Sequence, residues 1–106
     1  MAKYLISGSY VGDGITGLLK DGGTGRRDAV AKAVESMGGS IESMYYAFGD
    51  DDIYLIVDMP DHASVTALIL TAASSGTVNV KTTVLMSPEE VDEAAKKTPN
   101  YRPPGQ

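Results

Sequence analysis

The order of the hydrophobic periodicities along the chain constrains the fold more than any other feature. Alternation typical of strands occurs at residues 3–11, 40–48, 53–59 and 77–86. Apolar residues at helical spacing predict helices at 26–37 and 62–73, and a third helix is predicted at 88–97. With right-handed crossovers, this order predicts an α+β, ferredoxin-like βαββαβ sandwich. Its four-stranded antiparallel sheet would carry the first two helices on one face, with the third helix appended at the C-terminus.

Local signals set the predicted boundaries. Residues 15–20 are a weak helix because Gly14 and Gly17 flank and interrupt them, and residues 21–25 are predicted to be a flexible loop. Asp61 is a predicted N-cap for the helix at 62–73, which is apolar around much of its circumference and should be heavily covered. Residues 87–90 form a capping box with proline at the first helical position.

The strands carry apolar or aromatic side chains on both faces. Simple alternation places Ile41 with Tyr45 on one face of the second strand, and Met44 with Tyr46 on the other. A sheet with one solvated face would alternate apolar with polar residues instead. Since two helices can cover only one face, we expect a second copy of the chain to cover the other, giving a homodimer or a larger assembly.

Composition restricts the class of protein. The 106 residues suffice for one domain, predicted at 1–97, with an extended proline-rich tail at 98–106. The net charge of −5 argues against nucleic acid or an anionic membrane as partner. The absence of cysteine, of a secretory signal and of any apolar run near the roughly 20 residues that span a bilayer predicts a cytoplasmic protein.

Several short motifs, in this order and spacing, resemble the GYD-domain family. They lie at Ser9-Tyr10, Gly14, Gly17-Leu18, Arg26-Arg27, Gly38-Gly39, Gly49 to Tyr54, Pro60-Asp61 and Gly76. Gly49 and Asp52 could fill the outer positions of the element that names the family, with Asp51 near the position of its tyrosine. The resemblance implies a fold of the dimeric α/β-barrel type, in which ferredoxin-like units pair sheet to sheet, and it implies no assigned activity.

The strongest candidate site joins a glycine-rich segment to two arginines. Residues 22–25 precede Arg26 and Arg27 at a predicted helix start, where free amides, the helix dipole and guanidinium groups together favour an anion. The spacing fits neither a Walker loop nor a dinucleotide fingerprint. Pairing of the arginines with acidic neighbours is the alternative.

Three other features support functional interpretations less strongly. Tyr10 and Tyr45 could line a pocket for a flat ligand, although strand aromatics usually belong to a core or an interface. His62, the only histidine, lies at a predicted helix start and is a possible general base or ligand-binding residue. The aspartates at 50–52 suggest a hard cation, but they fit no calcium-loop spacing and are better read as a solvated turn.

Three functions remain open at this level. The first is a non-catalytic, oligomeric protein that binds a small molecule, with an anionic group held by Arg26 and Arg27. The second is a barrel-type enzyme, a monooxygenase or an isomerase, that acts in a pocket between sheet and helices. The third is a purely structural or assembly protein. The sequence predicts no metal, no cofactor and no catalytic set of residues.

Overall fold

The computed structural model describes all residues 1–106 and confirms the predicted order of elements. The strands are β1 (Ala2–Tyr10), β2 (Ser40–Tyr46), β3 (Ile53–Met59) and β4 (Val78–Leu85). The helices are α1 (Gly14–Ser36), α2 (His62–Ser74) and α3 (Pro88–Ala95). The chain is therefore a ferredoxin-like α+β domain with a helix appended after the last strand.

The four strands form one antiparallel sheet in the order β2-β3-β1-β4. The central pair, β1 and β3, runs from Ala2 opposite Met59 to Gly8 opposite Ile53. Helix α1 packs beside the edge strand β2, whereas α2 packs beside β4 and β3. The two helices therefore cover opposite edges of the same sheet face, and the space between them lies above the sheet centre.

The hydrophobic core fills one end of this layered structure. Tyr4 of β1 and Val57 and Met59 of β3 meet Val34 of α1 and Val65 of α2, and all five are almost completely buried. Burial of each such side chain stabilises the fold by roughly 1.5–3 kcal/mol. This end of the sheet, where β1 begins and β3 ends, is the anchored end.

Helix α1 begins twelve residues earlier than the sequence predicts. Residues 21–25 are not a loop, because only Gly22 leaves the helical conformation, with φ 75° and ψ 162°. The glycines predicted a loop through their low helix propensity, but the chain instead forms two helical segments that join at a single kink at Gly22. Arg26 and Arg27 consequently lie inside α1, after a kink, and not at the start of a helix.

A β-bulge in β2 corrects the predicted sidedness of that strand. The pairing with β3 shifts between Ile41 and Ser43, so that Ile41 lies opposite Val57 and Met44 opposite Leu55. Ile41 therefore packs against the core with Met44 and does not share a face with Tyr45. Strict alternation fails here because a bulge adds one residue to one strand.

Helix α2 is less covered than predicted. Only Val65 is buried, and Leu70 is 65% exposed. The helix packs on the sheet along one side, where Leu68 and Ile69 are partly buried, and no further layer covers Leu70 on its other side. None of the three helices combines the length and the apolar composition needed to cross a membrane.

The sheet face opposite the helices, here called the open face, has an apolar centre and charged ends. Leu5 lies opposite Ile56, and Tyr54 opposite Tyr45, whose side chain is 73% exposed. At one end the Lys3 ammonium bonds Glu42 at 2.8 Å and Asp58 at 2.9 Å, and at the other Lys81 pairs with Asp51 at 3.0 Å. The predicted apolar character of this face is limited to its centre, because β1 also places Lys3, Ser7 and Ser9 there and β4 contributes mainly polar residues.

Helix α3 projects away from the domain. Its N-terminus carries the predicted capping box, in which Glu90 N donates to Ser87 Oγ and Ser87 N donates to Glu90 Oε1. No residue of α3 is buried, and Val91 is 51% exposed. The radius of gyration, 16.9 Å, exceeds the roughly 13 Å expected for a compact domain of this length.

Because α3 contributes nothing to the core, we expect truncation after Met86 to leave the domain folded. The urea midpoint of residues 1–86 should match that of the full chain, because the midpoint reports the cooperative core. Urea unfolding followed by circular dichroism checks this, with both proteins at the same concentration. Loss of a cooperative transition in the shorter chain would contradict this description of the core.

Candidate functional site: a cavity between the sheet and its two helices

The end of the domain opposite the core contains a cavity of about 450 Å³. This volume lies within the range of about 300–1,000 Å³ that is typical of small-molecule sites. The cavity occupies the space between both halves of α1, the second half of α2 and the helix-facing side of β1, β3 and β4.

Apolar side chains form the floor and walls of this cavity. The floor consists of Ile6, Ile53, Leu55, Val78 and Val80 of the sheet. The walls include Leu18, Ala29, Val30 and Ala33 of α1, and Leu68, Ile69 and Ala72 of α2.

Small residues explain why this end of the sandwich is not filled. Gly8 lies between Ile53 and Val80 in the sheet register and adds no side chain to the helix-facing side. On α1, Gly14 and Gly17 also line the cavity. A Cβ at Gly17 would meet no atom within 4 Å, so the space beside it is open.

Polar groups line the same cavity near solvent. They are Tyr10, Asp13, Asp21, Arg26, Thr71, Ser75 and Thr77. Arg26 Nη1 lies 3.8 Å from Asp21 Oδ2, which is longer than a hydrogen bond, and both side chains are partly exposed. The guanidinium therefore retains donors that a ligand could use.

The structure brings two of the five predicted site residues into this cavity, Tyr10 and Arg26. Arg27 and Tyr45 lie together in a separate, shallow surface groove, where Arg27 Nε is 3.6 Å from the carboxylate of its neighbour Asp28. The adjacent arginines thus point to different places, as expected for consecutive residues on a helix.

His62 belongs to neither place. Its Nδ1 shares a hydrogen bond of 2.5 Å with the hydroxyl of Tyr4, and the two rings meet edge to face, with centroids 5.6 Å apart. Tyr4 is 1% exposed, so this bond satisfies the polar end of a buried core residue. The observed partner gives His62 a structural role at the core end of the domain.

Tyr46 supports the second half of α1 from the neighbouring strand. Its hydroxyl donates to the carbonyl of Gly23 at 2.9 Å. Burial raises the pKa of the Tyr46 phenol, and the adjacent Tyr10 raises it further, so the group stays protonated and remains a donor. The chain is thereby fixed immediately after the kink at Gly22.

The acidic turn between β2 and β3 connects strands. Asp52 Oδ2 accepts from Tyr10 N at 3.0 Å, and Asp51 Oδ1 accepts from Ser9 Oγ at 3.2 Å. Asp51 also pairs with Lys81 on β4. These contacts hold the end of β1 in place and position Tyr10 beside the cavity.

Sequence reasoning missed two carboxylates and much of α2. Asp13 and Asp21 line the cavity because residues 14–21 are helical and lie over the sheet, which the glycines had obscured. The helix at 62–73 was expected to be heavily covered, whereas its residues Leu68, Ile69 and Ala72 line the cavity. The sequence feature that could have indicated the cavity was the set of three glycines, Gly8, Gly14 and Gly17, on two elements that face one another.

Comparison with known proteins gives one match. No curated protein matches the chain significantly. The family model described as the GYD domain matches residues 4–95, which comprise all three helices and the whole sheet except the first two residues of β1. This match covers most of the 106 residues and agrees with the resemblance carried by the short motifs. The chain belongs to the GYD domain family.

Proposed function

We propose that this protein binds a small, mainly apolar molecule with a single anionic group, without turning it over, and that it does so as a homo-oligomer. The observation that carries the binding proposal is the cavity of about 450 Å³, which is lined mostly by apolar side chains and has Tyr10 and Arg26 among its polar residues. The apolar part of the ligand would contact the floor, and its charged group would face Arg26.

The apolar part of the proposal follows from the lining. Ile6, Ile53 and Leu55 form a continuous surface that water solvates poorly. A hydrophobic ligand gains roughly 25 cal/mol for each Å² of apolar surface it removes from water. Tyr10 adds an aromatic ring and a hydroxyl to the lining, which suits a flat ligand.

The charge of the ligand follows from the groups around Arg26. Its guanidinium is the only cationic side chain that lines the cavity, and it can donate two parallel hydrogen bonds to a carboxylate or sulfonate. Asp13 and Asp21 line the same cavity and would repel a highly charged ligand. A monoanion is therefore favoured over a polyphosphate.

Binding without turnover is preferred because the base considered from sequence lies elsewhere. His62 bonds Tyr4 and does not line the cavity. A barrel-type monooxygenase or isomerase would need Tyr10, Asp13 or Asp21 to transfer a proton. Neither carboxylate contacts a residue that would orient it for that task beyond the long pair of Asp21 with Arg26.

Replacement of the cavity arginine tests the binding proposal. Anilinonaphthalene sulfonate, an aromatic monoanion, should bind wild type with increased fluorescence, and Arg26→Ala should weaken its affinity about tenfold, the effect of losing a partly exposed charge-assisted hydrogen bond. Fluorescence titration at low salt measures the dissociation constants. Arg27→Ala is the matched control, since Arg27 does not line the cavity. Equal affinities in the two variants would refute a role for Arg26.

The proposed oligomer forms through the open face with a second copy of the chain. Leu5, Ile56 and Tyr54 form an apolar centre, while Lys3 and Lys81 are each neutralised by carboxylates of the same chain. Because these lysines are paired within the chain, bringing the face against its own copy costs less than it would with unpaired cations, and an apolar patch with a polar rim is typical of protein interfaces. Sheet-to-sheet pairing also agrees with what the family resemblance implies. A purely structural role would retain this pairing and leave the cavity unused.

A charge in the centre of the open face tests the oligomer. Wild type at micromolar concentration should sediment as a dimer or larger species, and Ile56→Asp should sediment as a monomer, because an interface cannot bury an unpaired carboxylate cheaply. Leu70→Asp, on the exposed side of α2, is the control and should sediment like wild type. A monomeric wild type would rule out the proposed assembly.

A further inference from the structure

The first half of α1, residues Gly14–Asp21, is here called the cap segment. It forms one wall of the cavity, to which it contributes Gly14, Gly17, Leu18 and Asp21. The kink at Gly22 separates it from the second half of the helix, which is anchored in the core by Val34. The cap segment is therefore a distinct structural unit at the edge of the proposed binding site.

Few contacts hold the middle of the cap segment. Leu19 is 80% exposed and Ile15 is 40% exposed, so most of its apolar side chains do not contribute to the core. Asp13 at its N-cap makes no side-chain hydrogen bond to the helix, and Gly17 lowers its helix propensity. Segments with few buried apolar contacts open at low free-energy cost.

The two ends of the cap segment are held in a different way. At its start, Gly14 packs against the carbonyl of Thr77, and Val11 N donates to that carbonyl at 2.9 Å. Just beyond its end, Tyr46 bonds the carbonyl of Gly23. The segment is thus fixed at both ends and loosely packed between them.

Glycines with positive φ lie at both boundaries. Gly12 has φ 54°, and Gly22 has φ 75° with ψ 162°, a combination that is essentially restricted to glycine. A Cβ at Gly22 would meet no atom within 4 Å, so packing does not require glycine there. The backbone conformation is the physical reason for this glycine.

We propose that the cap segment is a lid that swings about Gly12 and Gly22 to admit small molecules to the cavity floor. The Asp21–Arg26 pair spans the kink at 3.8 Å and acts as a weak latch for the closed position. An anionic ligand that engages Arg26 competes directly with this latch. The role of the lid rests on the proposed function, because the lid would control access to the binding site proposed above. Its motion, however, can be measured without any ligand.

A single partly buried thiol in this cysteine-free chain measures the motion. Val80→Cys, close in volume to the natural residue, places the thiol on the cavity floor, and dithiodipyridine, a small neutral reagent, reports its exposure by absorbance. Val84→Cys, on the same face of β4 and 55% exposed, gives the unhindered rate. We expect Val80→Cys to react at least tenfold more slowly than Val84→Cys.

Substitution of the hinge should then accelerate labelling at the floor. Gly22→Ala disfavours the closed backbone conformation, because a residue with a Cβ is strained there. This strain corresponds to at least about a tenfold change in the equilibrium between closed and open lid, so the Val80→Cys rate should rise about tenfold. Gly17→Ala, in the same segment but with helical backbone and open space around it, should leave the rate equal or lower. Asp21→Asn should raise the rate two- to fivefold, whereas Asp28→Asn, which removes the same charge from the Arg27 pair, should not.

A second thiol separates lid motion from unfolding. Val34→Cys lies in the core outside the cavity and reacts only when the domain unfolds. The lid is supported if Gly22→Ala accelerates Val80→Cys without an equal acceleration of Val34→Cys. Equal acceleration at both thiols, or no acceleration at Val80→Cys, overturns it. If the lid opens as described but no anion binds in titrations, the lid stands and the proposed function fails.

Discussion

Replacing Ala72 by phenylalanine should abolish binding of anilinonaphthalene sulfonate in the cavity while leaving the domain folded. Ala72 is a wall residue on α2, so a benzyl group at this position occupies the space that the ligand would fill. Since the cavity has a volume of about 450 Å³, the added ring should find room there without the strain that overpacking usually causes. The expected change is at least a hundredfold loss of affinity, measured by fluorescence titration, with an unchanged far-ultraviolet circular dichroism spectrum.

The neighbouring alanine provides the control. Ala73 is exposed and does not line the cavity, so Ala73→Phe adds the same ring to the outer side of the same helix. It should bind the probe as wild type does. If both variants bind equally well, the probe occupies another apolar surface, and the cavity is not the site.

The second large effect concerns the two glycines of the cap segment that line the cavity. Gly14→Ala should destabilise the domain by about 1–3 kcal/mol, because the new Cβ would lie 2.1 Å from the carbonyl oxygen of Thr77 and must displace backbone. Gly17→Ala should leave stability equal or raise it by up to about 1 kcal/mol, because its Cβ meets open space and alanine favours helix. Urea unfolding of both variants gives the two free energies.

The opposite signs are the informative result. Helix propensity alone would make both substitutions stabilising, since both glycines lie in α1. If Gly14→Ala stabilises the domain as Gly17→Ala does, then the close packing of α1 on Thr77, the residue before β4, is described incorrectly. In that case the wall of the cavity would also need revision.

The sequence predicted the elements of the fold well, and its errors have specific causes. Periodicity located β3 at its observed bounds, and the capping signals at Asp61 and Ser87 both form in the structure. The bulge between Ile41 and Ser43 was invisible because an added residue leaves no compositional signal. The glycines before Arg26 predicted a loop by propensity, but only Gly22 leaves the helical conformation, so the segment is a kinked helix.

The site was predictable only in part, because it depends on distances that sequence does not contain. Tyr10 and Arg26 were identified by residue type, and the fold brings both to one cavity. Tyr45 was separated from them because alternation directs its side chain to the open face. His62 could not be placed, since its partner Tyr4 lies 58 residues away in the chain.

Mapping of a bound monoanion onto the amide spectrum tests the central claim most directly. Anilinonaphthalene sulfonate titrated into isotope-labelled wild type should shift the amide signals of Leu18, Leu68 and Val78, which surround the cavity from α1, α2 and β4. Arg26→Ala should weaken those shifts at the same probe concentration. Shifts confined to Tyr54 and Ile56 on the open face, or to Leu70 on the outer side of α2, would contradict the assignment of the cavity as the binding site.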